Sequence, residues 1–446
     1  MSRALRRNKR YPAYKESGVQ WLGEIPTKWI VPRLKYLAAL NPDSLPEDAD
    51  PAMEIEYVDI GGVNSQGQIV SREKLSFGTA PSRARRLVAA GDVILSTVRT
   101  YLRAIAPIRE RDSHIVVSTG FAVVRPQDGL VPAFAAHALR APYFVERVVS
   151  ESKGVSFPAI VESEMATFEL AIPSIEEQHA IAAFLDRETA KIDALVAKKE
   201  RLIELLNEKR SALITRVVTK GLDPNVPMKD SRVEWLGDIP ADWNISKMWV
   251  STQAISGGTP RDEPRFWDGG IPWVSPKDMK RRLIDSSEDT VSSEAINEGG
   301  LKLIDNPAVL IVVRGMILAH SFPVALTTAP VTINQDMKAL LVRDDLDPEF
   351  FAYWLSGAGP NLRALLVEEA AHGTKAIRMD TWRVTAVEIP PEHEQRRIVA
   401  FLDSELADLD QLIDRVREAV QKLVEFRSAV ISAAVTGKID VREEMA

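Results

Sequence analysis

The chain has 446 residues, which suggests two to four domains rather than one. Apolar residues make up 45% and charged residues 27%, as in soluble globular proteins, and the absence of cysteine excludes disulfides, thiolate zinc sites and a thiol nucleophile. The formal charge of −7 leaves two readings: nucleic acid is not the partner, or basic groups cluster locally and partner subunits supply more.

In chain order, a basic N-terminus (MSRALRRNKR) comes first, without the apolar stretch a secretory signal needs. No apolar run is long enough to span a membrane, and a cytoplasmic location is expected. Next stands Val19-Gln20-Trp21-Leu22-Gly23-Glu24-Ile25-Pro26 with Trp29. Short β-like runs ended by turns follow at Glu54–Ile60, Asp92–Val98 and Phe121–Val124, then a short helix at Val131–Arg140. After Pro173 there is neither Pro nor Gly until Gly221, which predicts one long helix. Ser174 with Glu177 three residues on has capping-box spacing, and Gly221 stands where the helix should stop.

The series then repeats. Val233-Glu234-Trp235-Leu236-Gly237-Asp238-Ile239-Pro240 with Trp243 returns after about 215 residues. Strands are expected at Ile271–Val274, Val309–Val313 and Lys338–Val342, a short helix at Pro348–Leu355, and a second long helix after Pro391, closed by Gly437. The stretch Ile172 to Asp223 recurs at Ile389 to Asp440, with nearly half of about fifty positions identical. A period this long means two copies of a whole module rather than a solenoid. Between the matched ends the halves diverge strongly, so two similar frames hold two different inserts.

Both long stretches carry apolar residues at helical spacing. In the first, Leu185, Ile192, Leu195, Leu202, Leu206 and Leu213 form the expected seam; in the second, Leu402, Leu409, Val416, Leu423 and Val430 sit seven apart, flanked by Leu412 and Phe426. A helix of about 40 residues, roughly 60 Å long, cannot bury such a stripe alone. The economical partner is the other copy, in an antiparallel intramolecular coiled coil; homodimerisation is the other reading. The expected fold is α+β: two mixed α/β domains separated by two long antiparallel coiled-coil helices, related by an internal pseudo-twofold duplication. The boundaries are 1–173 with an N-terminal arm, 174–221, 222–390, 391–437 and a tail at 438–446.

Catalytic motifs are missing. There is no phosphate loop, no Gly-rich dinucleotide or adenosyl loop after a strand, and no Asn/Asp-Pro-Pro-aromatic tetrapeptide of amino-methyltransferases. The six histidines are scattered and no metal site is expected. The sequence therefore reads as a binding protein without its own catalytic centre.

These features resemble type I restriction specificity subunits. The resemblance is carried by Trp21 to Pro26 with Trp29, by Ile172-Pro173 with Glu176-Glu177-Gln178, and by their counterparts Trp235 to Pro240, Trp243, Ile389-Pro390 and Glu394-Gln395. Gly257-Gly258-Thr259-Pro260, Ile271-Pro272-Trp273-Val274 and Ile333-Asn334-Gln335-Asp336 look like that family's target-recognition domains; the first half lacks the Asn-Gln-Asp, with Ser118-Thr119-Gly120-Phe121 in its place. The resemblance implies double-stranded DNA as ligand, each domain reading one half of a split asymmetric site, with the helices setting the spacer between the halves. It also implies two methyltransferase subunits and two restriction (translocase–nuclease) subunits as partners. S-adenosylmethionine, ATP and Mg would be bound by those partners and none by this chain. The competing reading is a coiled-coil scaffold with two protein-binding inserts.

Reading base edges and phosphates needs Arg, Lys, Asn or Gln on accessible loops. In the first half the candidates are Arg83, Arg85, Arg86, Arg99, Tyr101 and Arg103, with Lys153 and Ser156 around the flexible Gly154. In the second they are Lys277, Lys280, Arg281, Arg282, Arg314, His320 and Arg378, together with Thr374 and Lys375 in the loop Ala371-His372-Gly373-Thr374-Lys375. Asn334, Gln335 and Asp336 either join them or order the second domain internally.

Overall fold

The computed structural model describes residues 9–442 except 65, 113, 306, 344, 371 and 372. The basic residues 1–8, Ala371 and His372 of the second-half loop, and the last four residues of the tail lie outside the described residues. Two compact units are formed, one from residues 1–200 and 417–446, the other from 201–416. The expected linear boundaries fall at the ends of the long helices, whereas the compact units divide both helices along their length.

In the first unit, one antiparallel sheet has the order Ala38–Leu40, Phe121–Pro126, Val93–Ser96, Ile105–Pro107. A second sheet is ordered Glu73–Ser76, Glu54–Val58, Ile115–Ser118, Ala84–Leu87, with its two central strands parallel. The second unit repeats this plan. Thr252–Ser256, Met337–Val342, Val309–Val312 and Val324–Thr327 run in the same order, extended by Leu283–Ile284, and Trp267–Val274 pairs in parallel with Thr332–Ile333. The duplication thus runs through the divergent inserts. A sheet needs only apolar residues at alternate positions, so different sequences keep one topology. The helix expected to end at Leu355 continues through Pro360 to Leu366.

The long helices span Ile175–Lys220 and Glu392–Val435. Each is closed by a glycine in left-handed backbone, Gly221 at φ 75° and Gly437 at φ 69°. They run antiparallel: in the first unit Arg427 pairs with Asp193 at 2.8 Å, and in the second Arg210 pairs with Asp410 at 2.8 Å. Asp193 and Asp410 are duplicate positions, as are Arg210 and Arg427, so one repeated Asp–Arg couple supplies both bridges.

The seam differs from the expected one in its step. Leu185, Ile192 and Leu206 are buried, with Leu213 half-buried, but Leu195 is 47% and Leu202 40% exposed. Val196 is buried and Ile203 half-buried in their stead. In the second helix Leu402, Leu409, Val416 and Val430 are buried and Leu423 and Phe426 half-buried, while Leu412 is 43% exposed and Ile413 is buried in its place. The apolar step after Ile192, and again after Leu409, is four residues rather than three, which turns the next leucine about 100° out of the seam.

Each α/β module is fastened to its own stretch of helix by the repeated motif. Trp29 donates its indole N–H to Glu177 at 3.2 Å, and Trp243 to Glu394 at 2.9 Å. The expected capping box is therefore half made: Ser174 accepts from the Glu177 backbone N–H at 3.4 Å, but the Glu177 carboxylate turns to the tryptophan. Gln178 is fully buried, accepts from the Val131 N–H at 2.8 Å and donates to the carbonyls of Gly129 and Pro173. Gln395 makes the same three bonds to Asp347, Asp345 and Pro390. In the first unit the chain ends meet: the Asp440 N–H reaches the Lys9 carbonyl at 2.8 Å, and the Tyr14 hydroxyl donates to the Gly437 carbonyl at 2.9 Å. Among the described residues no helix is long and apolar enough to cross a membrane.

Candidate nucleic-acid interface

In each unit an inner strand of one sheet, Val93–Ser96 in the first and Val309–Val312 in the second, runs out into a loop that pairs with a second, returning loop. In the first unit, Val98 bridges Ala159 and the Arg99 N–H bonds the Pro158 carbonyl at 2.7 Å. This joins Arg99, Tyr101 and Arg103 on one loop to Lys153 and Ser156 on the other. Arg99 and Arg103 both have left-handed backbone at φ 52°, a conformation with few alternatives for a non-glycine residue. Tyr101 is 54% exposed and Ser156 is exposed. The Arg99 guanidinium lies 4.8 Å above the Phe157 ring. Lys153 pairs with Glu164 at 2.7 Å, which holds its ammonium above the ordinary lysine range.

The second unit repeats the pair. Arg314 bridges Ala376, and the Gly315 N–H bonds the Lys375 carbonyl at 2.9 Å. Arg314 and His320 are exposed, Thr374 is half-buried, and the Lys375 ammonium sits on Glu369 at 2.7 Å. Arg378 is exposed and donates to the Leu365 carbonyl at 2.5 Å. Lys277, Lys280 and Arg281 lie apart from this pair, beside the edge strand Leu283–Ile284, two strands away from the one that leads into Arg314. Lys280 and Arg281 are exposed on a concavity of about 310 Å³. Lys277 is bound by Asp289 at 2.8 Å, which raises its pKa.

Two candidates have an internal task instead. The Arg86 side chain is 20% exposed and pairs with Glu162 at 2.9 Å. Arg282 pairs with Asp403 of the second long helix at 3.0 Å and lies 4.6 Å from the Tyr353 ring centre. Each has a buried guanidinium nitrogen without a hydrogen-bond partner among the described residues. These two arginines fasten elements together. Arg83 is engaged by Tyr57 at 3.0 Å and Asp59 at 2.8 Å but remains 55% exposed, and Arg85 stacks over Phe77.

Asn334, Gln335 and Asp336 order the second module. Asn334 accepts from the Asp336 N–H at 2.8 Å, and the Asp336 carbonyl accepts from Val313 at 2.8 Å. The Asn334 carbonyl lies 2.1 Å from where a Cβ on Gly257 would be, so only glycine fits there. The tips of the paired loops also present apolar residues that charge-based reasoning passes over: Val155 is 101%, Phe157 59% and Met316 61% exposed. The available signal was an apolar pair, Val155 and Phe157, inside the short loop between Gly154 and Pro158.

A family model described as the type I restriction modification DNA specificity domain matches residues 47–205 and again 242–422. The chain belongs to that family. It is a specificity subunit with two target-recognition domains, a recognition component rather than a catalyst. The specificity subunit of the Escherichia coli type I restriction enzyme EcoR124I/EcoR124II is 32% identical over 260 residues, a match spanning 57% of each chain. A putative MjaX specificity subunit of Methanocaldococcus jannaschii is 21% identical across 94% of this chain and 96% of its own. A solved chain from a structural study of complex assembly and conformational transition in the type I R-M system has the same fold, with a TM-score of 0.68, 24% identity, and coverage of 92% of this chain and 98% of that one.

Proposed function

We propose that this specificity subunit binds a bipartite, asymmetric site in double-stranded DNA, each unit reading one half, and that it docks two methyltransferase and two restriction subunits in the cytoplasm. S-adenosylmethionine, ATP and Mg belong to those partners in this reading. The observation that carries it is the loop pair built twice on one sheet plan, with the same architecture and different residues: Arg99, Tyr101, Ser156 and Phe157 in one unit, Arg314, Met316 and Thr374 in the other. Arginine forks suit guanine edges and phosphates, and exposed apolar tips suit thymine methyls.

The test is an exchange of residues 30–170 for the corresponding segment of a relative with a different target. The cut falls beside the Ile30–Ile172 bridge, leaving the Trp29–Glu177 and Gln178 fastenings in the recipient. The methylated motif of a host carrying the exchanged chain should change on one side of the spacer only. Changes on both sides would refute independent reading by the two units.

Arg281→Ala should weaken binding of the assembled methyltransferase to its site. A lost phosphate contact reduces the slope of log K against log salt by about one; a lost bidentate base contact removes ~1–3 kcal/mol and relaxes one position of the second half-site. Titrating labelled duplex at several salt concentrations distinguishes these. Unchanged affinity, slope and motif would remove Arg281 from the interface.

A further inference from the structure

Three guanidinium groups of the first unit line one cavity of about 80 Å³, where a single water needs only roughly 10–15 Å³. Arg103 enters from the end of the reading loop, Arg140 from the turn after the helix Pro132–Ala138, and Arg427 from the second long helix, with Ser428 and Ile431 beside it. Arg427 is a duplicate of Arg210 and is already engaged by Asp193. Arg103 has no ion pair or side-chain hydrogen bond among the described residues.

Arg140 is the unusual member. Its guanidinium donates to the Gln66 carbonyl and lies beneath Gly67, where a Cβ would come within 2.6 Å of Cζ. No carboxylate bonds it among the described residues. Burial first, then the charge of Arg427, pushes it down to about 10, with Asp193 opposing. The two acids that act on it are committed elsewhere, Asp193 to Arg427 and Asp186 to His137 at 2.8 Å. Arg103, Arg140 and Arg427 thus line one small space, and Arg109 adds its positive charge to the surroundings of Arg140 against two committed carboxylates.

We propose that this cavity is a binding site for a phosphate group, held by Arg103, Arg140 and Arg427 with the Ser428 hydroxyl beside them. Guanidinium forks are the strongest side-chain donors to oxyanions. Three forks arriving from three elements suit a tetrahedral oxyanion with acceptors on several sides, whereas a flat carboxylate is satisfied by one. The phosphate is either free or a link of the DNA backbone, since Arg103 belongs to the loop proposed to read DNA. The matching place in the second unit is filled: after Tyr353, which bonds Asp403 as His137 bonds Asp186, Gly357 stands at the duplicate position of Arg140 and packs straight onto the first long helix, where a Cβ would lie 2.7 Å from Val218.

The experiment uses the full chain, its Arg140→Met variant, and an Arg103→Ala variant at the exposed rim that leaves the buried packing untouched. Inorganic phosphate is titrated at constant ionic strength, with chloride as control, and read by thermal shift and calorimetry. A free-phosphate site gives a saturable rise in melting temperature in the unaltered chain, with affinity at least tenfold weaker in both variants. The second arm measures duplex binding by the assembled methyltransferase across a salt series. A backbone phosphate gives a salt slope reduced by about one in each variant. Either result supports the site and names its source. If phosphate acts no differently from chloride and both variants keep the full salt slope, the cavity binds no phosphate. The first arm reads without DNA, so failure of the DNA reading alone leaves it intact.

Discussion

Gln395→Leu lowers the unfolding free energy by roughly 3–5 kcal/mol, because it strips three hydrogen-bond partners at once from a site closed to water. The Gln395 side chain has no exposed surface. Its oxygen accepts from the Asp347 N–H at 2.7 Å, and its nitrogen donates to the carbonyls of Asp345 at 2.9 Å and Pro390 at 2.8 Å. Leucine fills similar space but satisfies none of these groups, and a buried amide or carbonyl left without a partner forfeits about 1–3 kcal/mol. Gln178→Leu should act alike in the first unit, where the partners are Val131, Gly129 and Pro173. Urea unfolding of the full chain measures the loss. Leu195→Gln is the control: an exposed leucine outside the seam should change stability by no more than about 0.5 kcal/mol. A loss below about 1 kcal/mol for Gln395→Leu would mean that the repeated glutamine is not the fastening. A large loss for Leu195→Gln would restore that leucine to the seam.

That glutamine also shows how far the sequence could be read. Its recurrence at positions 178 and 395 was plain, as was the duplication it belongs to, yet its role depends on backbone groups almost fifty residues upstream, and no periodicity reports on those. Two charges have partners that the sequence hides for the same reason. Arg86 and Arg282 look like members of basic clusters, but their acids, Glu162 and Asp403, lie 76 and 121 residues away. The seam was legible in period and direction but not in phase. Thr189, Lys199 and Arg210 occupy seam positions with polar side chains, so the apolar signal falls to leucines one step off. Sheet order within the inserts was hidden altogether. The two halves build the same sheets from different apolar residues, and only hydrogen-bond register, which sequence does not display, shows that they match.

Acidification from pH 8 to pH 5.5 should stabilise the second unit by about 2 kcal/mol through a single carboxyl, that of Glu388. This side chain is fully buried in the strand that leads into the second long helix. The Trp354 indole donates to one of its oxygens at 2.6 Å, and the other is buried with no hydrogen-bond partner among the described residues. Burial outweighs the Trp354 bond, a backbone bond and the charge of Lys220, and raises its pKa from 4.5 to about 7. Between those two values the folded chain still holds the proton and the unfolded chain has lost it. Stability therefore falls as pH rises through that window and levels off above about 7. The full interval is worth about 3 kcal/mol, and the stretch from 5.5 upward about 2 kcal/mol. Glu388→Gln keeps the shape and the acceptor for Trp354 but cannot ionise. The variant should match the unaltered chain only below about pH 4.5, exceed it by about 1 kcal/mol at pH 5.5 and by about 3 kcal/mol at pH 8. Other titrating groups contribute equally to both proteins, so the difference between them isolates this carboxyl. Parallel stability profiles would show that Glu388 is ionised in the fold across this range, and that the Lys220 ammonium or water reaches it after all.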